Sequence, residues 1–422
     1  MPGSLSLSDD DRSALDGERG AAAQLAMRIL VRTAEAMDAR ELLDVSSAHI
    51  DGCLYHGRAG LDFAMRLADG GARVSIPTTL NVSSLDLLHP ELVHLDRGTT
   101  EDARSMMDAY VAMGCRPTWT CAPYQLPVRP ALGEHIAWAE SNAIVFANSV
   151  LGARTNRYGD FIDICCAITG RAPLAGLHTD EGRRATVVFR LEGVPDALAS
   201  SEAGAAALGH VVGRRTGSAI PAIVGLPSRT PEDHLRAFGA AAASSGAVAM
   251  FHAVGVTPEA PTLESATGGA APARTETITL KDLRAARDEL STVGPGTAVG
   301  AVSVGTPHLS LDGLARLALL VAGSPPTIPV FANVGRDVRA IADERGDTGE
   351  LERAGVTIVS DTCTYITPVI HETAGPVMTD SAKWAWYAPG NLGFDTAFGS
   401  LEECVRSAAA GVVVRDVEFW GD

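Results

Sequence analysis

Hydrophobic positions in the first part of the chain form two kinds of pattern, a helical repeat and short apolar runs. Small and apolar residues recur at helical spacing over 20–37 and predict a long helix there. The short runs Glu41–Ser46 and Ala72–Pro77 predict buried strands, and polar residues follow them at Ser47–Cys53 and Thr78–Asn81. Since ligands bind at the carboxyl ends of strands in α/β sheets, these polar segments are the first candidates for a functional site.

The rest of the chain continues the alternation of strands and helices. A middle part rich in Ala, Gly and Ser has strand-like runs at Ala185–Leu191, Ala219–Leu226 and Ala247–Val256. The last part predicts the strands Ala298–Val304, Thr327–Phe331, Val356–Val359 and Val412–Val417, and the helices Leu311–Val321, Asp337–Ala354 and Ser400–Ala410. This alternation predicts an α/β fold with mostly parallel sheets. We divide it into three lobes, at 1–182, 183–296 and 297–422.

Composition and charge limit the class of protein. The chain has 422 residues, 46% hydrophobic and 20% charged, which is enough for sizeable cores. Its formal net charge of -17 disfavours nucleic acid as a partner, because phosphates would be repelled. Met1–Asp11 lacks the apolar region of a signal peptide, and no apolar run approaches the roughly 18 residues of a membrane helix. We therefore expect a soluble, cytoplasmic protein without disulfides.

Three of the seven cysteines lie in segments where a metal ligand would be useful. Cys121 is in a polar loop punctuated by prolines, Cys363 follows a predicted strand, and Cys404 lies near a helix start. None of them belongs to a CxxC pair, so spacing does not separate metal ligands from small buried hydrophobic residues. Thiolates from distant segments do bind iron or iron–sulfur clusters, and both interpretations stay open.

A group of polar residues lies where a helical pattern is interrupted. The pattern runs over 133–150 and resumes over 158–168, and Arg154, Asn156 and Arg157 lie in the break. Guanidinium groups there could hold a carboxylate with two parallel hydrogen bonds, next to the start of the following helix. A solvated loop between helices is the alternative.

Three further side chains could take part in acid–base chemistry. His49 and Asp51 could act as an acid–base pair or as ligands, although a structural histidine is the alternative. Lys383 lies among aromatic residues and could neutralise a carboxylate or a developing enolate, unless its ammonium group reaches the surface. Thr78, Thr79 and Thr306–His308 are polar groups at strand ends without a signature of their own. The sequence has no phosphate-binding GxxxxGK[ST], no HExxH and no GxSxG motif.

Taken together, these segments resemble the aconitase X family. The resemblance covers nearly the whole chain; it is most specific from Trp138 to Asp160 and loose in the Ala-rich middle. The matching stretches are Ala48–Cys53 with Tyr55, Pro77–Val82, Pro117–Gln125, Gly133–Asn142, Phe146–Asp160, Gly305–His308, Asp361–Cys363, Ser381–Trp384 and Tyr387–Gly390.

The resemblance implies a multi-lobed, three-layer α/β/α architecture and the activity of a hydro-lyase, an enzyme that removes water from a small hydroxy acid. Members of the family hold their substrate between a large multi-domain part and a small swivelling part, which is fused or made separately. No small domain follows before Asp422, so the resemblance implies a separate small subunit. That subunit is expected to bring a serine-rich loop with the catalytic base.

The resemblance also implies iron, as an iron–sulfur cluster such as 2Fe-2S or as a mononuclear centre. Its ligands would be three cysteines, which we assign to Cys121, Cys363 and Cys404. Iron would act as a Lewis acid on the leaving hydroxyl or a substrate oxygen. The residues assigned to catalysis are Lys383, His49 and Asp51, and those assigned to substrate binding are Thr78, Thr79, Asn81, Ser149, Arg154, Asn156 and Arg157.

The family contains more than one substrate class. Bacterial members resemble cis-3-hydroxy-L-proline dehydratases, which form Δ1-pyrroline-2-carboxylate, and archaeal members resemble mevalonate 5-phosphate dehydratases. The segments Ile50–Cys53 and Trp119–Pro123 look like the bacterial type, so we expect hydroxyproline as the substrate. Mevalonate 5-phosphate is the alternative, and a non-catalytic iron-binding sensor on the same fold is a further one.

Overall fold

The computed structural model of the chain describes residues 5–371, 373 and 375–422. This part of the chain divides into two units. The first contains the chain up to Leu85 together with Leu95–Arg184, and the second contains Asp86–His94 and Ala185–Asp422. The division into three lobes at 1–182, 183–296 and 297–422 stays a prediction.

The first unit contains a parallel sheet of three short strands and an antiparallel pair. The strands are β1 (Leu42–Asp44), β2 (Ala48–Ile50), β3 (Thr78–Leu80), β4 (Ala137–Trp138) and β5 (Arg171–Pro173). The order in the parallel sheet is β3-β2-β4, and β1 pairs with β5. The helices are α1 (Asp9–Asp16), α2 (Ala21–Ala36), α3 (Arg58–Asp69), α4 (Arg97–Ala112), α5 (Ser141–Phe146) and α6 (Ile162–Thr169).

Two segments interpreted as polar loops are themselves strands. The run Ala72–Pro77 forms no strand; the chain pairs one step later as β3, and β2 lies inside Ser47–Cys53. In both cases the backbone donors and acceptors that pair belong to the polar stretch, which the apolar pattern alone does not indicate. As a result, the side chains of His49 and Thr79 belong to the sheet itself.

The helix predicted over 133–150 was wrong in its first part. Ala137 and Trp138 form β4, and the helix begins at Ser141 and ends in a π-helical turn, Ala147–Leu151. α6 likewise begins at Ile162, later than the predicted 158. A short run of small apolar residues fits a buried strand as well as a helix turn, so periodicity could not separate the two.

The second unit contains two parallel sheets. The strands of the first are β6 (Val187–Leu191), β7 (Pro221–Val224), β8 (His252–Ala253) and β9 (Arg274–Ile278), in the order β8-β7-β6-β9. Those of the second are β10 (Ala301–Val304), β11 (Val330–Asn333), β12 (Val356–Val359), β13 (Val377–Thr379) and β14 (Thr396–Phe398), in the order β12-β11-β10-β13-β14.

Helices pack against both of these sheets. They are α7 (Asp196–Ala199), α8 (Glu202–Thr216), α9 (Glu232–Ser245), α10 (Leu263–Thr267), α11 (Leu280–Glu289), α12 (Leu311–Gly323), α13 (Arg336–Arg345), α14 (Asp347–Arg353), α15 (Ala382–Leu392), α16 (Leu401–Ala410) and α17 (Val417–Trp420). The Ala/Gly-rich composition has a physical reason here, since a Cβ at Gly209 of α8 would lie 2.2 Å from the Phe238 carbonyl oxygen of α9. Among the described residues, no helix is both long and apolar enough to cross a membrane.

Two predictions for the last part of the chain were wrong in detail. The helix predicted at Asp337–Ala354 is divided into α13 and α14 at Gly346, whose φ of 89° ends the first helix. The strand predicted at Val412–Val417 does not form; Val412 makes one bridge to Ala298, and α17 starts where that strand would end. Polar residues follow the carboxyl ends of three strands of this five-stranded sheet, as predicted: Thr306 after β10, Asp361 after β12 and Lys383 after β13.

Candidate active site

The parallel sheet of the first unit places polar side chains in two rows. His49 of β2 is paired with Thr79 of β3 on one side and with Trp138 of β4 on the other. Continuing this register by two residues places Asn81 and Glu140 on either side of Asp51. Asp51, Asn81 and Glu140 follow the ends of β2, β3 and β4, so this second row lies at the carboxyl edge of the sheet.

His49 lies fully buried in the first row. Its Nδ1 is 2.8 Å from Oγ1 of Thr79, and the Thr79 hydroxyl also lies 3.4 Å from the Ala48 carbonyl oxygen, to which it donates. The Thr79 oxygen can therefore accept from Nδ1–H, and a backbone hydrogen bond to Thr120 also acts on the His49 ring. Burial lowers the pKa of His49 to about 3, so the imidazole is neutral at physiological pH. His49 therefore cannot act as a cationic acid.

Asp51 in the second row is surrounded by other acidic groups. Burial, then the carboxylates of Glu140 and Asp160, raise its pKa to about 8, against the opposing effect of the amide hydrogen bond from Asn81. The backbone of the loop is held by Asp163, whose Oδ2 accepts from the N–H of Asp51 at 2.8 Å and of Gly52 at 3.4 Å. Asp51 therefore carries a proton at neutral pH and can donate it, as a general acid must.

Glu140 is the member of this row that the sequence interpretation missed. Its side chain is 5% exposed and its φ is 70°, a left-handed conformation that costs a non-glycine residue roughly 1–3 kcal/mol. Its Oε2 accepts from the N–H of Ala143 at 2.8 Å and from the side-chain amide of Asn142, which also donates to the carbonyl of Cys121 at 2.9 Å. The prediction of a helix through this position concealed it; the signal that could have revealed it is a carboxylate directly after a buried apolar pair.

The residues predicted to clamp a carboxylate have different environments. Arg154 donates to the carboxylate of Asp180 and to the His178 carbonyl, and Asn156 uses its amide to bind the backbone of Ala175 and Leu177. Arg157 has an exposed side chain. Thr78 donates to a backbone carbonyl two residues earlier, and Ser149 is buried in the π-helical turn. The roles of these residues in substrate binding, and that of Asn81, stay predictions.

In the second unit, Lys383 lies in the first turn of α15, directly after β13. It is only 2% exposed and its Nζ is 5.5 Å from the centre of the Tyr365 ring, so it does not reach the surface. It lines a small pocket together with Asp380, Arg236 and Thr306. Burial and Glu202 raise the pKa of Asp380 to about 7. Lys383 is thus enclosed by the protein, and its catalytic role stays a prediction.

All seven cysteines are buried free thiols. In the second unit, His308 and Cys363 are buried with ligand atoms within 4.8 Å of each other and could share a metal ion. Cys121 is buried in the first unit, and its place in the ligand set stays a prediction. Cys404 packs instead in an aliphatic cluster, and burial followed by Asp380 and Glu403 raises the pKa of its thiol. The assignment of Cys404 as a ligand stays a prediction, and His308 is a candidate that the sequence singled out without giving it a role.

Comparisons with known proteins agree on one family. The models for the first, second and third domains of aconitase X match residues 4–181, 185–288 and 299–410. Among solved structures, aconitase X from Thermococcus kodakaraensis in its holo form superposes with a TM-score of 0.87 at 33% identity, covering 96% of this chain and 100% of that chain.

Relatives of assigned function fall into two groups. The cis-3-hydroxy-L-proline dehydratase of Pseudomonas aeruginosa is 46% identical over 97% of this chain and 71% of its own length. The enzyme of the same name from Hypocrea jecorina is 43% identical over 97% of this chain and 69% of its own length. The phosphomevalonate dehydratase large subunit of Methanothermobacter thermautotrophicus is 36% identical over 96% of this chain and 99% of its own length.

Proposed function

Because this chain belongs to the aconitase X family and is a dehydratase, we propose that it removes water from cis-3-hydroxy-L-proline. The product would be a cyclic enamine that relaxes to Δ1-pyrroline-2-carboxylate. The observation that carries this choice is the difference in identity, 46% and 43% to the two hydroxyproline enzymes against 36% to the phosphomevalonate enzyme.

Mevalonate 5-phosphate is the second candidate substrate. It is favoured by the alignment with the Methanothermobacter large subunit, which covers 99% of that protein. A phosphorylated substrate carries more negative charge than an amino acid and needs further cationic groups to bind it. The non-catalytic sensor is set aside, since the chain is a dehydratase by family.

We propose a small subunit as the partner of this chain. Relatives such as the Methanothermobacter protein are named as large subunits, and this chain aligns with 71% of the Pseudomonas enzyme. The partner would supply the base that removes the α-proton of the substrate. Turnover would then require both chains.

Thiolate and imidazole are both ligands that iron accepts in proteins, and Cys363 and His308 of the second unit offer one of each. We propose that Cys121 and Cys363 hold it, with His308 or Cys404 as the third protein ligand. Bound iron would supply Lewis acidity toward an oxygen of the substrate.

The residues of this chain would manage charge and protons during elimination. Asp51, protonated at neutral pH, would give its proton to the departing hydroxyl, which leaves as water. Arg157 and Lys383 would neutralise the substrate carboxylate and the charge that develops when the α-proton leaves. The neutral His49 would hold the side chains of Thr79 and Trp138 in place, through its hydrogen bond to Thr79 and its ring contact with Trp138.

The test is turnover by the anaerobically purified, iron-loaded complex of this chain with its small subunit. The complex is supplied separately with cis-3-hydroxy-L-proline and mevalonate 5-phosphate. Formation of Δ1-pyrroline-2-carboxylate is the expected result, and turnover of only the phosphorylated compound would overturn the choice of substrate. Each chain alone is the control for the partner, and full activity of this chain by itself would contradict the need for a small subunit.

A further inference from the structure

Glu140 faces Asp51 because of the register of the parallel sheet. The pairs His49–Trp138 and Ala48–Ala137 are in register, and the N–H of Ala139 donates to the His49 carbonyl at 2.9 Å. Two residues beyond the paired His49 and Trp138, just past the ends of β2 and β4, the two neighbouring segments reach Asp51 and Glu140. The backbone pairing thus brings the two residues to the same edge of the sheet, and the Glu140 carboxylate acts electrostatically on Asp51.

The Glu140 carboxylate is held in place by hydrogen bonds. It caps the start of α5 and accepts hydrogen bonds from the N–H of Ala143 and the side chains of Asn142 and Ser141. These bonds fix the direction of the carboxylate relative to the end of β4. The left-handed backbone at Glu140, with φ 70°, is needed to turn from β4 into this cap.

Several other groups surround Asp51. The acidic groups are Asp160 and Asp163, beside the start of α6. The neutral groups are Asn81 after β3, Cys53 on the same loop as Asp51, and Tyr110 of α4. The Tyr110 hydroxyl is close to this loop, since a Cβ built on Gly52 would lie 2.8 Å from it. Of the charged groups that act on Asp51, Glu140 has the largest effect. The charged groups with the largest effects on Asp51 are all carboxylates, those of Glu140, Asp160 and Asp163.

We propose that Glu140 is a positioning residue for Asp51, whose fixed negative charge keeps the Asp51 carboxyl in its protonated, proton-donating form. This inference rests on the proposed function, in which Asp51 is the acid. Glu140, in the turn after β4, would keep the proton on Asp51 until the hydroxyl of the substrate leaves. Glu140 would act through Asp51 and not on the substrate.

The first test is the pH profile of kcat/KM of the iron-loaded complex with cis-3-hydroxy-L-proline. Turnover of the unmodified complex should fall as pH rises through about 8. Glu140→Gln keeps the capping oxygen but removes the charge, and should move this limb down by about one pH unit, so that turnover above pH 9 falls about tenfold further. Asp160→Asn, at an exposed position, should move the basic limb in the same direction by a smaller amount. Glu344→Gln, on the exposed face of α13, is the control and should leave the basic limb where it is.

The second test needs no substrate, so it separates failure of this inference from failure of the proposed function. Removing the charge of Glu140 makes ionisation of folded Asp51 easier, so Glu140→Gln should gain thermal stability relative to the unmodified complex between pH 6 and pH 9. The gain should vanish when both proteins carry Asp51→Asn. The inference would be overturned if the basic limb stays in place in both Glu140→Gln and Asp160→Asn. It would also be overturned if the difference in thermal stability between Glu140→Gln and the unmodified complex does not change with pH. Loss of turnover at every pH in Glu140→Gln, with the limb still moved by Asp160→Asn, would overturn the positioning role by placing Glu140 on the substrate.

Discussion

Replacing Arg336 by methionine should destabilise the second unit measurably. Nε and one terminal nitrogen of Arg336 donate to the two oxygens of Asp361, at 2.5 and 2.6 Å. Asp361 is fully buried, has φ 63° and precedes Cys363 by two residues. Without Arg336, the Asp361 carboxylate would still accept a hydrogen bond from the backbone N–H of Leu87 at 3.0 Å, but its charge would have no cation beside it.

The magnitude follows from the burial of the two partners. Breaking a buried ion pair costs about 3–5 kcal/mol, because one charge is left uncompensated. Arg336 is 33% exposed, so water can partly replace it, and we expect a loss of about 2–3 kcal/mol. With a denaturant slope of roughly 3 kcal/mol per molar, the urea midpoint should fall by about 0.7–1 M.

Urea unfolding followed by tryptophan fluorescence measures this loss. Arg345→Met, at an exposed position in the last turn of α13, is the matched control and should change stability by less than about 0.5 kcal/mol. Adding Asp361→Asn to Arg336→Met should recover part of the loss, because the unpaired charge disappears. Equal midpoints for Arg336→Met and Arg345→Met would refute the argument that this pair holds the loop before Cys363.

Three further predictions concern the metal, the acid and the cation. Cys363→Ser should lose iron and turnover together by metal analysis and activity assay, whereas Cys165→Ser on α6 should keep both; full iron in the first variant would remove Cys363 from the ligand set. Because the folded pKa of Asp51 is raised, its proton is present below about pH 8 and lost above it; Asp51→Asn has no such proton to donate, so it should lower turnover below pH 8 and leave no basic limb, and a limb that persists would assign it to another group. Lys383→Met should lower kcat/KM by about 100-fold or more, while Lys281→Met on α11 should not, and equal kinetics for the two would exclude Lys383 from the reaction.

The amino-acid sequence by itself determined the fold class, the family and the class of reaction. Local periodicity located α2 and β12 almost to the residue, because a helical repeat and a buried β-branched run depend on neighbours in sequence. The resemblance carried by segments such as Trp138–Asp160 led to the aconitase X family, which the comparisons confirm. The proposed site residues are not yet tested in this way.

Tertiary structure alone decided which polar groups face one another. Pairing of β2 with β3 and β4 joins segments far apart in sequence, so His49 proved to be a sheet residue and Glu140 came to lie opposite Asp51. The neutral His49 and the protonated Asp51 follow from burial and neighbouring charge, which no local pattern contains. The same holds for the cysteines, since spacing could not distinguish Cys404, packed among aliphatic side chains, from Cys363, which shares a potential metal site with His308.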